Sequence, residues 1–292
     1  MDNFTDFTRR ASVPEQLEHY VRSVGSCTPM RLDSALGWRS GSSLVLVVFP
    51  PDMDTPDEAY RGVVDGAVAK ALALDWLQRL TVLSPFRPSA APENAHCRED
   101  ACWTVDLPVI PPKGKLANML RRAAGCVDIT IGDAWTQEHE DLVALASANL
   151  AGREGERRLS EESGLLFGRV GRYVRNGEGR ACCYSARRRD TGTLCGLVVA
   201  DHAAYMTSFY LFAFRAPDAP PGTADALLHA LLEHSRALGQ QRCNLGLGIH
   251  PGIHFFKRKW GARPFLPFVE CSWDKPSHSL FSRLSGLFGR RS

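Results

Sequence analysis

The run SLVLVVF at 43–49 is apolar without interruption and is bounded by Ser and by Pro50-Pro51, which predicts a buried strand. Over 55–80 the period changes. Val63, Ala67, Ala71, Leu74 and Leu77 recur at helical spacing, Thr55 suits an N-cap, Pro56 suits the first helical position, and acids fill the first turn. LTVLSP (80–85) and CWTVDLP (102–108) read as strands, with a Pro-, Ala- and Glu-rich loop between them at 86–101. PPKGKLANMLRRAAG (111–125) reads as a basic helix stopped by Gly, and VDITIG (127–132) alternates as a half-buried strand does. Helices follow at 136–152 and 160–174, and strands at 180–188, 192–201 and 204–214. The helix at 223–239 has Thr223 at its N-cap and Gly239 at its C′ position. A strand at 242–248, a short helix at 251–260 and a strand at 264–273 complete the pattern. Residues 1–43 are mixed and turn-rich, and predict no clear element.

One unit of this α/β order occurs twice. ALALDWLQRLTVLSP (71–85) and LLEHSRALGQQRCNLGL (231–247) each run a helix through a short link into a strand. That predicts two related halves. Only the second copy is followed by a short basic, aromatic helix, HFFKRKWG at 254–261, so the chemistry is expected in the second half.

Composition narrows the picture. The chain of 292 residues is 44% hydrophobic, enough for one large core or two smaller ones. There is no apolar run of about 18 residues and no apolar signal region at the N-terminus. The nine cysteines are odd in number, scattered and without C-x-x-C, and read as reduced cytoplasmic thiols with neither a disulfide frame nor a zinc site. The net charge of +3 is unevenly spread: −5 over 1–106 and +8 over 107–292. A basic second half suits an anionic ligand such as a CoA phosphate, a nucleotide, tRNA or a lipid headgroup, although a solvated Arg-rich surface gives the same count.

The order helix 223–239, strand 242–247, helix 251–260 with an aromatic-Lys pair and a Gly, then strand, resembles the end of a GNAT acyltransferase domain. Two such halves, joined by LPVIPPKGKLANMLRRA, are similar to FemAB-like tandem-GNAT proteins, and the resemblance covers 40–275, most strongly 192–272. It implies an α/β fold of two GNAT-like halves, each a mixed, mostly antiparallel sheet flanked by helices, the first half degenerate. The divisions are then 1–110 for that half, 111–275 for the half with the active site, and 276–292 for a tail. It also implies transfer of an activated acyl or aminoacyl group to a small-molecule amine.

In the FemX branch an adjacent Phe-Lys pair is catalytically important, and Phe256 and Lys257 match it. Many single GNAT domains carry Y-x-x-x-G here, with the Tyr protonating the leaving thiolate. Aligned on Gly261, Lys257 stands in the tyrosine's place. An ammonium is a compact charge that can stabilise an oxyanion or a leaving ribose oxygen. Phe256 offers a stacking face for a base. The acetyl-CoA loop Q/R-x-x-G-x-G/A is altered: RAPDAPPGTADALL (215–228) keeps Arg215 and Gly222 at another spacing, its prolines remove amides, and Thr223 still opens a helix able to meet a phosphate. The co-substrate is thus aminoacyl-tRNA or acyl-CoA, the former slightly favoured, with no tightly bound cofactor. An acyl-CoA enzyme acting on a small metabolite and a non-catalytic GNAT-like binding module are the rivals.

Further candidates for donor or acceptor contacts are His250, His254, Asn244, Ser208 and Arg121, with Tyr205 and Tyr210 as alternative catalytic acids. Each has a plainer reading as core packing or solvated surface. The i, i+4 histidines enclose Pro251-Gly252 and are not H-E-x-x-H, so no metal is expected. Cys182-Cys183 reads as strand packing without a histidine partner, and Asp225 and Glu233 as ordinary helix acids. In the tail, Leu280, Phe281, Leu284, Leu287 and Phe288 share one helical face with Arg283, Arg290 and Arg291 opposite. This suits a peripheral membrane or partner contact, or a helix docked on its own domain.

Overall fold

The computed structural model describes residues 4–25, 27–151, 164–176, 180–248 and 251–275. The amphipathic stretch 277–292 and His250 lie outside the described residues.

The first half is built on β1 (Thr28–Leu32), β2 (Ala35–Ser40), β3 (Ser43–Val47), α3 (Glu58–Leu72), β4 (Arg79–Ser84) and β5 (His96–Asp106). Hairpins join β1 to β2 and β2 to β3, the second through Gly41 at φ 58°. β3 and β4 are parallel, as a strand–helix–strand crossover requires. Helix α3 starts later than its sequence pattern suggests, because Asp57 and not Thr55 is the cap: its side chain accepts from the Tyr60 amide at 3.0 Å.

The second half holds α4 (Gly114–Cys126), β6 (Val127–Gly132), α5 (Gln137–Ala151), α6 (Val170–Asn176), β7 (Ala181–Arg188), β8 (Leu194–Asp201), β9 (Thr207–Arg215), α7 (Thr223–Ala237), β10 (Arg242–Leu247), α8 (Pro251–Lys259) and β11 (Arg263–Asp274). Its antiparallel strands lead into a second parallel crossover, β9–α7–β10, with Thr207, Ser208 and Phe209 facing Arg242, Cys243 and Asn244. The repeated helix-to-strand pattern of the sequence is these two crossovers.

The strands form one eleven-stranded sheet in the order β1-β2-β3-β4-β11-β5-β10-β9-β8-β7-β6. β11, from the end of the chain, runs between β4 and β5, while β5 runs between β11 and β10. The two halves therefore exchange strands across a common centre. One apolar core packs α3 on the first half and a larger one packs α4, α5 and α7 on the second.

On another face a third core is closed by N-terminal residues that the sequence left unassigned, α1 (Phe4–Arg9) and α2 (Glu18–Val24). The link between these helices crosses the joint. Ser12 donates to the Pro50 carbonyl at 2.5 Å, Trp38 Nε1 to the Glu15 carbonyl at 2.8 Å, and Asn244 Nδ2 to the Ser12 carbonyl at 2.9 Å.

Two further sequence expectations need correction. β5 begins at His96, inside the predicted loop, because its polar, mostly exposed first residues hide any apolar alternation. Cys97 and Cys271, register partners on β5 and β11, form a disulfide, so the cysteines are not all free. No helix among the described residues is long and apolar enough to cross a membrane.

Candidate functional site

The site is built where β10 leaves β9. Their pairing ends at Phe209 and Asn244, and the register of β10 against β5 then shifts between Asn244 and Leu247. Gly246 takes φ 75° there, a conformation that costs glycine little. This turn presents the Gly246 and Leu247 carbonyls to α8, where Lys257 Nζ donates to both, at 2.8 and 2.6 Å.

Lys257 is only 4% exposed. Burial lowers its pKa from 10.5 to about 8, against the opposing pull of Cys102, Asp100 and Cys243. Around it, Asp100 Oδ1 accepts from the amides of Gly248 (3.1 Å) and Ala101 (2.7 Å). The His254 ring packs against Trp103 at 5.0 Å, and the Arg258 guanidinium lies 5.8 Å from the Trp103 centroid. Gly248 lets these groups close in, since a Cβ there would collide with His254 and Asp100.

A second ionisable group approaches the same centre from the N-terminal link. Glu15 Oε2 is sealed from solvent and has no hydrogen-bond partner among the described residues. Burial raises the Glu15 carboxyl from 4.5 to about 7, and Glu270 pushes in the same direction. The Cys102 thiol feels both groups: burial and then Glu15 push it up to about 12, while Lys257 opposes them. Cys102 thus lies within electrostatic reach of both an acid raised toward neutrality and a base lowered toward it, a pattern that acid–base sites use.

The other sequence candidates are distributed as follows. Phe256 is half-buried against the main core, with Lys259 Nζ 5.1 Å from its ring centroid. Asp225 is not an ordinary helix acid: it is paired with Lys259. They form a 2.6 Å ion pair at the first turn of α7, where Trp260 Nε1 also donates to Asp225 at 3.0 Å. Tyr210 is half-buried on β9 near Cys243 and Asp225, and burial raises its pKa. Asn244 is inside the site region but committed, with Nδ2 on Ser12 and Oδ1 accepting from the Gly246 amide at 2.7 Å. Ser208 is buried and bonded to Ser235 and the Arg242 carbonyl.

Tyr205 is 62% exposed ahead of β9, at the opposite end of the parallel pair from Lys257, and the Arg9 guanidinium lies over its ring. Arg215 is exposed at the end of β9, and Arg121 is exposed on α4, donating to Asn118 at 2.9 Å.

The start of α7 differs from the sequence reading in a way that bears on phosphate. Its N-cap is Gly222 at φ 89°, and Thr223 is buried with its hydroxyl on the Pro220 carbonyl at 2.7 Å. A Cβ at Gly222 would strike the Met119 carbonyl and come within 3.2 Å of the Ala123 Cβ. Helix α4 therefore sits against the amides that would otherwise face a phosphate.

Sequence reasoning missed Glu15, Asp100 and Trp103. They belong to an unpatterned N-terminal link and to a first-half strand, and only the strand exchange brings them to α8. It also missed that Cys182 has histidine neighbours: ligand atoms of Cys182, His202 and His234 all lie within 4.8 Å of one another.

No family model matches the chain, and no curated protein sequence matches it. Solved structures do. The C-terminal domain of a putative lysylphosphatidylglycerol synthetase from Agrobacterium fabrum aligns with TM-score 0.56 at 14% identity over 97% of this chain and 93% of that one. FemX aligns with TM-score 0.58 at 10% identity, over 98% and 97%. A conserved protein of unknown function from Bacteroides thetaiotaomicron aligns with TM-score 0.59 at 13% identity, over 92% and 95%. At such identities the likeness is one of fold.

Proposed function

We propose that this chain, which shares its FemAB-like GNAT fold with FemX, is an N-acyltransferase, moving an aminoacyl group from aminoacyl-tRNA to a small-molecule amine at the junction of β5, β10 and α8. The observation that carries this reading is that Glu15, raised to about 7, and Lys257, lowered to about 8, both act electrostatically on the buried Cys102 thiol. An amine acceptor reaches the site as an ammonium and must lose a proton before it attacks. Glu15, poised near neutrality, takes that proton. The freed amine attacks the ester carbonyl, and the Lys257 ammonium stabilises the oxyanion that forms. The new C–N bond remains, the C–O bond to the ribose breaks, and Lys257 protonates the departing oxygen. The attacking nitrogen loses two protons in all: the one taken by Glu15 makes good the proton that Lys257 gave to the ribose oxygen, and the other leaves the adduct for solvent as the amide forms.

The preference for tRNA over acyl-CoA is supported by the closed start of α7, where α4 crowds Gly222 and prolines replace amides. The charge of +8 over 107–292 also supports it. Phe256, beneath Lys259, offers a partly exposed face to the terminal base. In the one rival with an observation of its own, the chain is a non-catalytic GNAT-like module: the two carbonyl bonds of Lys257 suit a lysine that only closes the end of β10.

The test is single-turnover transfer from a pool of charged, labelled tRNAs to pooled primary amines, with acyl-CoA donors in parallel. The proposal expects label to leave tRNA for an amine in an enzyme-dependent way. Turnover with acyl-CoA and none with any aminoacyl-tRNA would overturn the donor; turnover with neither would favour the binding module.

A further inference from the structure

A cavity of about 660 Å³ opens at the other end of α7, lined by Cys182, His202, His234, Asp133, Arg180 and Leu238 among others. His234 lies nine residues beyond Asp225, about 14 Å along the helix, so this place is separate from the Lys257 centre. Three different elements converge on it: Cys182 from β7, His202 from the end of β8, and His234 from α7.

Their ring orientations are set by a supporting layer. The Gln240 amide nitrogen donates to the carbonyls of Ala204 at 2.9 Å and Thr207 at 3.1 Å. Its oxygen therefore faces His202 Nδ1, 2.9 Å away, and Nδ1 carries the proton that bonds to it. In the neutral ring this leaves the lone pair on Nε2, turned toward the cluster. The Tyr184 hydroxyl lies 2.8 Å from that Nε2, to which it donates, and 2.7 Å from His234 Nδ1, from which it accepts, and a bound ion would take the place of its bond to His202.

We propose that Cys182, His202 and His234 form a binding site for a divalent cation of borderline softness, zinc best matching the ligand set, with its remaining coordination position open to the cavity. One thiolate and two imidazoles suit zinc better than calcium or magnesium, which take oxygen ligands. A tetrahedral zinc with nitrogen at about 2.0–2.1 Å and sulfur at about 2.3 Å sets one sulfur and two nitrogens about 3.3–3.6 Å apart. The three ligand atoms here lie within 4.8 Å of one another, so side-chain rotation of about 1 Å closes the set. The Gln240–His202 bond is the outer partner that fixes a ligating imidazole's tautomer. On binding, the cysteine thiol gives its proton to solvent and the thiolate takes its place on the metal.

The test uses the full chain, stripped with chelator and titrated with zinc against a chromophoric competitor, then with cobalt(II). The expected result is one ion per chain and, with cobalt, a thiolate-to-metal charge-transfer band together with the visible bands of a four-coordinate site. Cys182→Ser should abolish the charge-transfer band, and His202→Ala and His234→Ala should each weaken binding at least tenfold, while Cys126→Ser changes neither. A readout that needs no variant is thiol alkylation mapped by mass spectrometry: zinc should slow modification of Cys182 at least tenfold and leave exposed Cys126 unaffected. Failure to bind zinc more tightly than the competitor, or binding that leaves Cys182 alkylation unchanged, would overturn the proposal.

Discussion

Replacing Lys257 by Met removes a buried ammonium that the fold holds at a cost. Its pKa of about 8 against 10.5 in the unfolded chain means that the unfolded state binds more protons between these two values. Stability from this group is therefore lost as pH falls through 8 and recovered as pH rises toward 10.5. A shift of that size is worth about 3 kcal/mol in full, and most of it, about 2–3 kcal/mol, is gained by the wild type between about pH 7 and about pH 10. The variant lacks this dependence. Around pH 7 the two proteins should differ less, because leaving the Gly246 and Leu247 carbonyls without their donor costs about 1–3 kcal/mol each while losing the desolvated charge returns about 3 kcal/mol. Urea unfolding of wild type and Lys257→Met across this range isolates the lysine, since the raised cysteines and tyrosines cancel in the difference. The wild-type advantage should grow by about 2–3 kcal/mol between the two pH values. A flat difference would mean that Lys257 is solvated and would refute the burial argument.

Glu15→Gln should be more stable than wild type at about pH 8, by about 1–3 kcal/mol in chemical denaturation. The raised Glu15 carboxyl contributes stability below 4.5 that is lost as pH rises through 7, and the amide does not ionise. The same variant should be slower in transfer, the trade expected of a functional group kept at the expense of stability. Gly222→Ala should cost about 2–4 kcal/mol in the same assay, because it combines a left-handed backbone with a clash against the Met119 carbonyl. Acetyl-CoA should leave the melting temperature unchanged, whereas a ligand at about 100 times its Kd stabilises by about 2.7 kcal/mol; a clear shift would mean that the start of α7 opens.

The crossovers were legible because each joins a helical period to a strand period. The elements at 127–132, 223–237, 242–247, 251–259 and 263–274 agree with their patterns to within a residue or two. The exchange of β5 and β11 was not legible, since no local signal in HCREDACWTVD says which strand it will pair with. For the same reason the surroundings of Lys257 stayed hidden. The lysine stood out by its rarity and its place before Trp260-Gly261, but its burial depends on carbonyls of β10 and on a first-half strand. Glu15 was invisible for a simpler reason: a carboxylate between Pro14 and Gln16 looks like surface until Trp38 and Asn244 tie its segment over the joint. Cys182 and Cys183 lie on a packed strand as read, but the histidine neighbours of Cys182 stayed hidden because they arrive from sequence positions 20 and 52 residues away.

The claim at the centre of this account is that Glu15 and Lys257 act together on an acyl transfer, and the pH dependence of the single-turnover transfer rate tests it most directly. The base must be ionised and the lysine protonated, so the rate should rise toward pH 7, fall above pH 8 and peak between them. Glu15→Gln should lose the acidic limb and Lys257→Met the basic one, each with a reduced maximum. A profile without either limb, or variants that keep the wild-type rate and shape, would contradict the assignment.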